Sequence, residues 1–147
     1  MRITTFTDYA LRVLMQAEIR NPARVTIDEV ASSYGISRNH LVKVIHGLAQ
    51  AGFITTQRGR GGGFVLARPA SGIRVGDVVR FGEEGQPLVE CFDHMTNACV
   101  ITPACQLKFM LGEAQSAFYA VLDRYSLADV CANPQALLRH LGLKAST

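Results

Sequence analysis

The sequence predicts a mostly α-helical protein with a small β-hairpin wing, that is, a winged helix-turn-helix followed by a long C-terminal helix. Three observations predict this fold class. Two short helical segments meet at a glycine at position 35, two β-prone runs flank a glycine-rich turn at residues 58–63, and a long amphipathic segment follows Pro103. Each pattern is local, so each element can be justified from neighbouring residues.

The first helix is predicted from Asp8 to about Arg20. Its apolar residues recur at three- and four-residue spacing, which is the period of one helix face. Thr7 or Asp8 is the expected N-cap, since both side chains can accept hydrogen bonds from the first turn. Asn21-Pro22 ends the helix, because a residue before proline is driven out of the helical region.

A helix-turn-helix is predicted after this first helix. Thr26 and Glu29 have the spacing of a capping box at the start of a short helix. Gly35 suits the left-handed conformation that stops a helix, and Ser37 can cap the next helix, which runs to about Gln50. Small and apolar residues stand where the two helices would approach, which favours a helix-turn-helix over a plain helical hairpin.

The second helix of this motif carries side chains suited to the major groove of DNA. Its first turn contains Ser37, Arg38, Asn39 and His40. Arginine can pair with guanine and asparagine with adenine. Lys43, one turn further on, is expected to touch a phosphate. We therefore predict that this helix reads double-stranded DNA.

A β-hairpin is predicted next, with strands from Phe53 to Gln57 and from Phe64 to Ala67. The intervening glycines let its tip approach DNA closely, and Arg58 and Arg60 can reach phosphates or the minor groove. A flexible basic linker is the alternative, which the two β-prone runs disfavour. The glycines precede a strand, whereas a nucleotide-binding glycine fingerprint opens a helix.

Charge is spread unevenly along the chain. Residues 1–80 contain eleven Lys or Arg against five Asp or Glu, whereas residues 81–147 contain four against seven. A basic N-terminal half favours a polyanion partner, although a solvated charged surface has the same composition.

The sequence has no apolar run long enough to span a bilayer and no signal-peptide core. We therefore expect a cytoplasmic protein that contacts no membrane and whose thiols stay reduced.

Three of the four cysteines lie in one short stretch, Glu90 to Gln106. Seven residues separate Cys91 from Cys99, and five separate Cys99 from Cys105. Polar and turn-forming residues fill the gaps, which predicts a loop. Three thiols on one loop exceed what core packing needs, so we predict a soft, thiophilic metal centre. Cys131 has apolar neighbours and is expected to be buried and uninvolved.

Pro103 is expected to open a long helix that continues to about Arg124, a length of roughly 30 Å. Its apolar face consists of Leu107, Met110, Leu111, Ala114, Phe118, Val121, Leu122 and Tyr125. This face exceeds what a small winged domain needs, so we predict a homodimer in which the partner and the chain itself each cover part of it. A short helix from Leu127 to Cys131 and one or two further turns follow. Residues after Leu143 are expected to be disordered.

With these elements placed, the chain resembles the Rrf2 family of bacterial transcription regulators over nearly its full length, and most closely the nitric-oxide-sensing branch of that family. The matching stretches are Ile3 to Arg12, Tyr34 to Ile45, Arg58 to Gly63, Ile73 to Arg80, Ile101 to Lys108 and Tyr125 to Val130. The resemblance implies a dimeric repressor whose Cys91, Cys99 and Cys105 hold an iron–sulfur cluster, either 2Fe–2S or 4Fe–4S. The cluster-bound form would bind operator DNA, and nitric oxide would attack the cluster and release the DNA.

On this interpretation the chain divides into four parts. They are a winged helix-turn-helix DNA-binding domain (1–82), a cysteine-rich cluster-binding loop (83–106), the dimerisation helix with the short helix after it (103–131), and a C-terminal tail (132–147).

The resemblance also concerns the fourth cluster ligand, since iron–sulfur clusters ordinarily have four protein ligands. Another branch of the family has a histidine three residues after the last loop cysteine, but that position is Lys108 here. The nitric-oxide-sensing branch uses an aspartate near the first helix of the other subunit, which Asp8 matches. Asp8 could instead only stabilise the helix N-terminus. His94, inside the loop, and solvent are the other candidates.

The sequence is also compatible with other functions. An iron- or redox-sensing regulator of the same family is the alternative, because the seven-residue gap after Cys91 approaches the spacing in the family's iron sensors. A thiol enzyme needs a histidine or a helix N-terminus beside its cysteine, which His94 and the helix start near Cys105 could supply, but no substrate pocket is indicated. Structural zinc sites favour two- to four-residue gaps, which neither gap has. We therefore expect a regulator and not an enzyme.

Overall fold

The computed structural model describes residues 2–144, which form seven α-helices and one two-stranded antiparallel sheet. The helices are α1 (Thr5–Arg20), α2 (Ile27–Tyr34), α3 (Arg38–Gln50), α4 (Val75–Gly82), α5 (Gln106–Leu122), α6 (Leu127–Val130) and α7 (Pro134–His140). The strands are β1 (Ile54–Gln57) and β2 (Gly63–Leu66). Short 3-10 turns lie at Ala70–Gly72, Glu90–Phe92 and Thr102–Ala104. The predicted fold class, a mostly helical winged helix-turn-helix, is confirmed.

α2 and α3 form the predicted helix-turn-helix, and local signals define their ends. The backbone N–H of Thr26 donates to Glu29 Oε2 at 2.7 Å, and the N–H of Glu29 donates to Thr26 Oγ1 at 3.2 Å, so the capping box is complete. Gly35 ends α2 with a φ of 64°. Ser37 Oγ accepts from the N–H of His40 at 3.3 Å and caps α3.

α1 begins earlier than predicted. Thr4, rather than Thr7 or Asp8, is its N-cap residue, and Thr4 Oγ1 accepts from the N–H of Thr7 at 3.2 Å. Thr7 is fully buried, and its hydroxyl donates to Glu83. The prediction was wrong because several polar residues near the helix start could act as the cap. The contact that selects Thr4 comes from a distant part of the chain.

The wing is the antiparallel pair β1–β2, with Ile54 opposite Leu66 and Gln57 opposite Gly63. Phe64, at the middle of this register, is 1% exposed and also bridges to Val25 in the α1–α2 connection. The buried ring fastens the wing to the helical core, so the hairpin is not a flexible linker.

The core is built around α1, which contacts α3, α4, β2, α6 and α7. The largest fully buried side chains include Leu14, Leu41, Leu48, Phe64 and Ile73. Leu127, Cys131 and Leu138 belong to the same cluster. The last helices therefore return to pack on the N-terminal half of the chain. α7 agrees with the further helical turns predicted for the tail, whereas the disorder predicted after Leu143 falls mainly on residues 145–147, which lie outside the described residues.

The start of the long helix differs from the prediction. Pro103 lies in the 3-10 turn Thr102–Ala104, Cys105 then has an extended backbone with ψ 107°, and α5 starts only at Gln106. The prediction that Pro103 opens α5 was wrong, because proline suits the first turn of a 3-10 helix as well as that of an α-helix. The seventeen residues of α5 span about 25 Å rather than 30 Å.

Candidate nucleic-acid interface and cysteine loop

We call α3 the recognition helix. The predicted DNA-reading residues lie together on its exposed surface. Ser37, Arg38, Asn39, His40 and Lys43 are all exposed. Their exposure follows from the helix period, because Leu41, Val44, Ile45 and Leu48 occupy the opposite, buried face.

Two of these side chains are held by neighbours. Arg38 Nε donates to Asp28 Oδ1 at 2.9 Å, which links the recognition helix to the first turn of α2. The ring of His40 lies 6.2 Å from that of Tyr9 on α1. These contacts limit the orientations of Arg38 and His40 before any ligand binds.

The wing tip lies beside the recognition helix. Arg58 and Arg60 are exposed. A surface groove is lined by Arg38, Val42 and His46 from the helix and by Arg58 from the wing. Two of the predicted cationic residues therefore share one concave surface. Val42 was not predicted as a groove residue, although its four-residue spacing from Arg38 places both side chains on one face of the helix.

The cysteine loop runs from Glu83 to Cys105, and its three thiols are half-buried and unpaired. Cys91 lies in the 3-10 turn Glu90–Phe92, and Cys105 is the N-cap residue of α5. The Cys105 side chain forms no capping hydrogen bond.

Side chains within the loop form its turns. The N–H of Cys99 donates to Asn97 Oδ1 at 3.0 Å, and Thr102 Oγ1 donates to the carbonyl oxygen of Cys99 at 2.8 Å. Asp93 accepts from Thr96 Oγ1 at 2.7 Å and from the N–H of Met95 at 2.9 Å. These bonds hold the pKa of the Asp93 carboxyl below its usual value. Cys99 is thus held through its backbone, which leaves its thiol available as a ligand.

The structure does not bring the predicted ligands into one cluster. Within residues 2–144, no group of three or more His, Cys, Asp or Glu side chains is placed to hold a metal ion. The chemistry of the donor set nevertheless fits an iron–sulfur cluster, because three free thiols lie on a single loop and none is in a disulfide.

The candidates for a fourth ligand lie in different surroundings. Asp8 is in the first turn of α1, where Arg12 Nη2 and Nε donate to its two carboxylate oxygens at 2.9 and 3.0 Å. This hydrogen bond raises the pKa of the Arg12 guanidinium. His94 is exposed near the middle of the loop. Lys108 is half-buried on α5 and offers no imidazole.

Cys131 is a free thiol like the loop cysteines, but it is buried. It is 6% exposed, and its Sγ lies 3.9 Å from the carbonyl oxygen of Met15. Burial raises the pKa of its thiol to about 12. It therefore stays a neutral thiol at physiological pH, and the prediction that it is buried is confirmed.

Large apolar side chains of the loop and α5 are uncovered. Met95 and Val100 are each 91% exposed. On α5, Leu107, Met110, Ala114, Ala117 and Val121 are exposed and follow one another at alternating three- and four-residue spacing. Leu111, Phe118 and Leu122 are half-buried on the side nearer the chain's own core. The predicted apolar face is thus divided between an exposed seam and a half-buried side, as expected for a helix with two neighbours.

Residues 3–133 match the Rrf2 family, which is described as an iron-dependent transcriptional regulator. The chain belongs to the Rrf2 family. The HTH-type transcriptional regulator NsrR of Bacillus subtilis (strain 168) is 45% identical over 98% of this chain and 99% of its own length. The regulator of the same name from Oceanobacillus iheyensis is 43% identical with the same coverage. The Rrf2 resemblance predicted from the sequence is confirmed.

Solved Rrf2-like structures share the fold. IscR of T. potens superposes with a TM-score of 0.73 at 23% identity, over 93% of this chain and 90% of its own. CymR (YrzC), the global cysteine regulator of B. subtilis, superposes with a TM-score of 0.71 at 24% identity, over 90% and 97%.

The homologues are transcription regulators rather than enzymes. The chain is accordingly a DNA-binding transcription regulator, and the prediction that it is not an enzyme is confirmed. None of the helices between residues 2 and 144 combines the length and apolar character needed to cross a membrane.

Proposed function

We propose that this Rrf2 protein is a homodimeric repressor that holds an iron–sulfur cluster, senses nitric oxide and releases operator DNA when the cluster is nitrosylated. The observation that carries the proposal is the cysteine loop, because three unpaired, half-buried thiols lie on a loop of an Rrf2 chain that is 45% identical to an NsrR regulator. Its proposed place of action is the cytoplasm, where thiols stay reduced.

The recognition helix and the wing are proposed to bind double-stranded DNA. Arg38 and Asn39 would read base edges together with Ser37 and His40, and Lys43 would contact a phosphate. Arg58 and Arg60 would reach phosphates or the minor groove from the wing. The exposure of all seven side chains supports this assignment, as does the groove that Arg38 and Arg58 share.

The exposed seam of α5 is proposed as the dimer interface. Leu107, Met110 and Val121, with Ala114 and Ala117 between them, have the three- and four-residue alternation of a helix that packs against another helix. A two-fold dimer would present two recognition helices to two half-sites of an operator.

Cys91, Cys99 and Cys105 are the proposed cluster ligands, with Asp8 of the partner subunit as the fourth. When bound, the cluster supplies iron atoms with which nitric oxide reacts. In this protomer Asp8 pairs with Arg12, so ligation across the dimer would require that pair to open. His94 and solvent remain the alternative ligands, and either 2Fe–2S or 4Fe–4S fits the thiol count.

Iron or redox state is the second candidate signal. Two observations favour it, namely the seven-residue gap between Cys91 and Cys99 and the family description as iron-dependent. The same cluster would serve either signal, so only the reagent that removes DNA affinity distinguishes them.

The test uses protein purified without oxygen and a DNA duplex selected from random sequence by that protein. Visible absorbance, circular dichroism and DNA affinity are followed together during stoichiometric nitric oxide addition. We expect a brown chromophore that changes as DNA is released. A chromophore that ignores nitric oxide but is lost, together with DNA affinity, to a mild iron chelator would assign the iron signal. Protein that stays colourless after incubation with iron and sulfide would contradict the cluster.

A further inference from the structure

The N-terminus of α1 is capped by a residue from the root of the cysteine loop. Thr4 N–H donates to Glu83 Oε1 at 2.8 Å, and Thr4 Oγ1 donates to the same oxygen at 2.9 Å. The hydroxyl of Thr7 also donates to Glu83 Oε1. Three donors from the first turn of α1 therefore converge on one carboxylate oxygen, 79 residues away from Thr4 in sequence.

This arrangement is a capping box divided between two elements. In α2 the N–H of Thr26 donates a hydrogen bond to the side chain of Glu29, the third residue of the same helix. The third residue of α1 is Thr7, which has no carboxylate, and Glu83 takes that role from the end of α4. The cap of α1 therefore depends on the position of the loop root, whereas the cap of α2 depends on α2 alone.

Close packing reinforces the link between α4 and α1. A Cβ atom on Gly82 would lie 2.2 Å from Thr7 Oγ1 and 3.0 Å from Thr7 Cα, so only glycine permits this approach. Thr4 Oγ1 also lies within hydrogen-bonding distance, 3.3 Å, of the carbonyl oxygen of Gly82. The first turn of α1 and the first loop residue are therefore packed together as one unit.

The same unit touches the recognition helix. The ring of Phe81, two residues before Glu83, packs edge-on against the ring of Phe6 on α1, with centroids 5.7 Å apart. Both rings lie over Gly47 of α3, where an added Cβ would meet Phe6 at 3.0 Å and Phe81 at 3.4 Å. A displacement of the loop root would therefore press on, or withdraw from, α3.

We propose that Glu83 is a positioning residue that couples the state of the cysteine loop to the orientation of the recognition helix. Through Thr4 and Thr7 it fixes the first turn of α1, and that turn carries Phe6 against α3. This inference rests on the proposed function, since it requires that the loop has two states with different DNA affinity.

The test compares Glu83→Gln with Glu84→Gln, a matched change at the exposed neighbouring residue. Affinity for the selected duplex is measured for cluster-loaded and cluster-free protein, and the ratio of the two is compared with that of the wild type. We expect Glu83→Gln to retain the chromophore but to reduce this ratio about fivefold or more, while Glu84→Gln preserves it. An equal loss of affinity in both states, with the ratio unchanged, means that Glu83 is only structural and overturns the proposal.

Amide hydrogen exchange on cluster-free protein gives a second readout. The Thr4 N–H should exchange faster in Glu83→Gln than in the wild type or Glu84→Gln, because its acceptor loses its charge. Unchanged exchange would mean that the cap is not formed in solution, which also overturns the proposal.

Thr7→Val removes one donor from the other side of the contact with little change of shape. Glu83→Gln and Thr7→Val should change the affinity ratio less than additively when combined, since both act on one contact. Additive effects would overturn the proposal.

The wild-type ratio of cluster-loaded to cluster-free DNA affinity separates the two proposals. A ratio of one would reject the proposed function and the coupling together. A high ratio that Glu83→Gln preserves would reject the coupling alone.

Discussion

The winged part of the chain and the region after it use apolar side chains in opposite ways. Between Ala10 and Val78, apolar residues from helices and strands form one buried cluster. From residue 83 to residue 125, by contrast, no residue is buried, and Met95 and Val100 are 91% exposed. Uncovered apolar surface of this extent is typical of an interaction site, and we proposed above that a second subunit covers the seam of α5.

The cysteines also differ between the buried core and the exposed region. Cys131 lies in the shared core with its thiol held neutral, whereas the loop cysteines are half-buried and lack a common partner within residues 2–144. The first region is a packed core, whereas the second keeps its thiols half-buried and several of its large apolar side chains exposed.

The largest expected effect is that of Cys99→Ala on the cluster. Removal of one thiol from the loop should abolish the visible chromophore while the protein stays folded, because the loop contributes no buried residue to the core. Absorbance after anaerobic reconstitution and far-ultraviolet circular dichroism measure the two properties. Cys131→Ala is the control and should remain brown. Full absorbance in Cys99→Ala would refute the ligand assignment.

Met110→Ala should weaken the dimer. Met110 is 63% exposed in the single chain, and we expect the partner to bury it in the seam. Loss of its side chain from both subunits should raise the dimer dissociation constant about tenfold or more. Sedimentation equilibrium measures the constant. Ser116→Ala, exposed on another side of α5, should leave it unchanged. Equal effects of the two variants would place the interface elsewhere.

Arg60→Ala should weaken DNA binding through a lost phosphate contact. The expected signature is a decrease of about one in the slope of log affinity against log salt concentration. Arg139→Ala, at an exposed arginine in α7, is the matched control and should leave the slope as it is. If Arg60→Ala leaves the slope unchanged, the wing does not touch the DNA backbone.

The smallest expected effect is on thermal stability, and it concerns an ion pair at the junction between α4 and α5. Arg80 Nη1 and Nη2 donate to the Asp123 carboxylate at 2.7 and 2.6 Å, which lowers the pKa of Asp123. A carboxyl whose pKa is lowered by folding stabilises the protein above its ordinary pKa of 3.8, and this contribution is lost as pH falls through the lowered value.

Asp123→Asn should therefore lower the melting temperature slightly at pH 7, and the difference should shrink as melting is repeated toward about pH 3. Because the pair is exposed, added salt should reduce the difference as well. Glu113→Gln on the same helix is the control, with no change expected at pH 7. A difference that grows on acidification would contradict the pairing.

Much of the winged region was predictable because its signals are local. The Thr26–Glu29 capping box, the left-handed Gly35 and the Ser37 cap all act within four residues, and the structure has each of them. The two strands were predicted to within a residue at each end, since two β-prone runs flank a turn that is rich in glycine. The exposure of Arg38 and Asn39 followed from helix period alone.

The sequence by itself determined the helix-turn-helix, the wing and the loop of three thiols, because short-range hydrogen bonding and periodicity define them. Only the tertiary structure decided where α1 begins, since its cap depends on Glu83, 79 residues from Thr4. The tertiary structure also decided which side of α5 remains uncovered, because an amphipathic pattern records how apolar a face is but not which neighbour covers it.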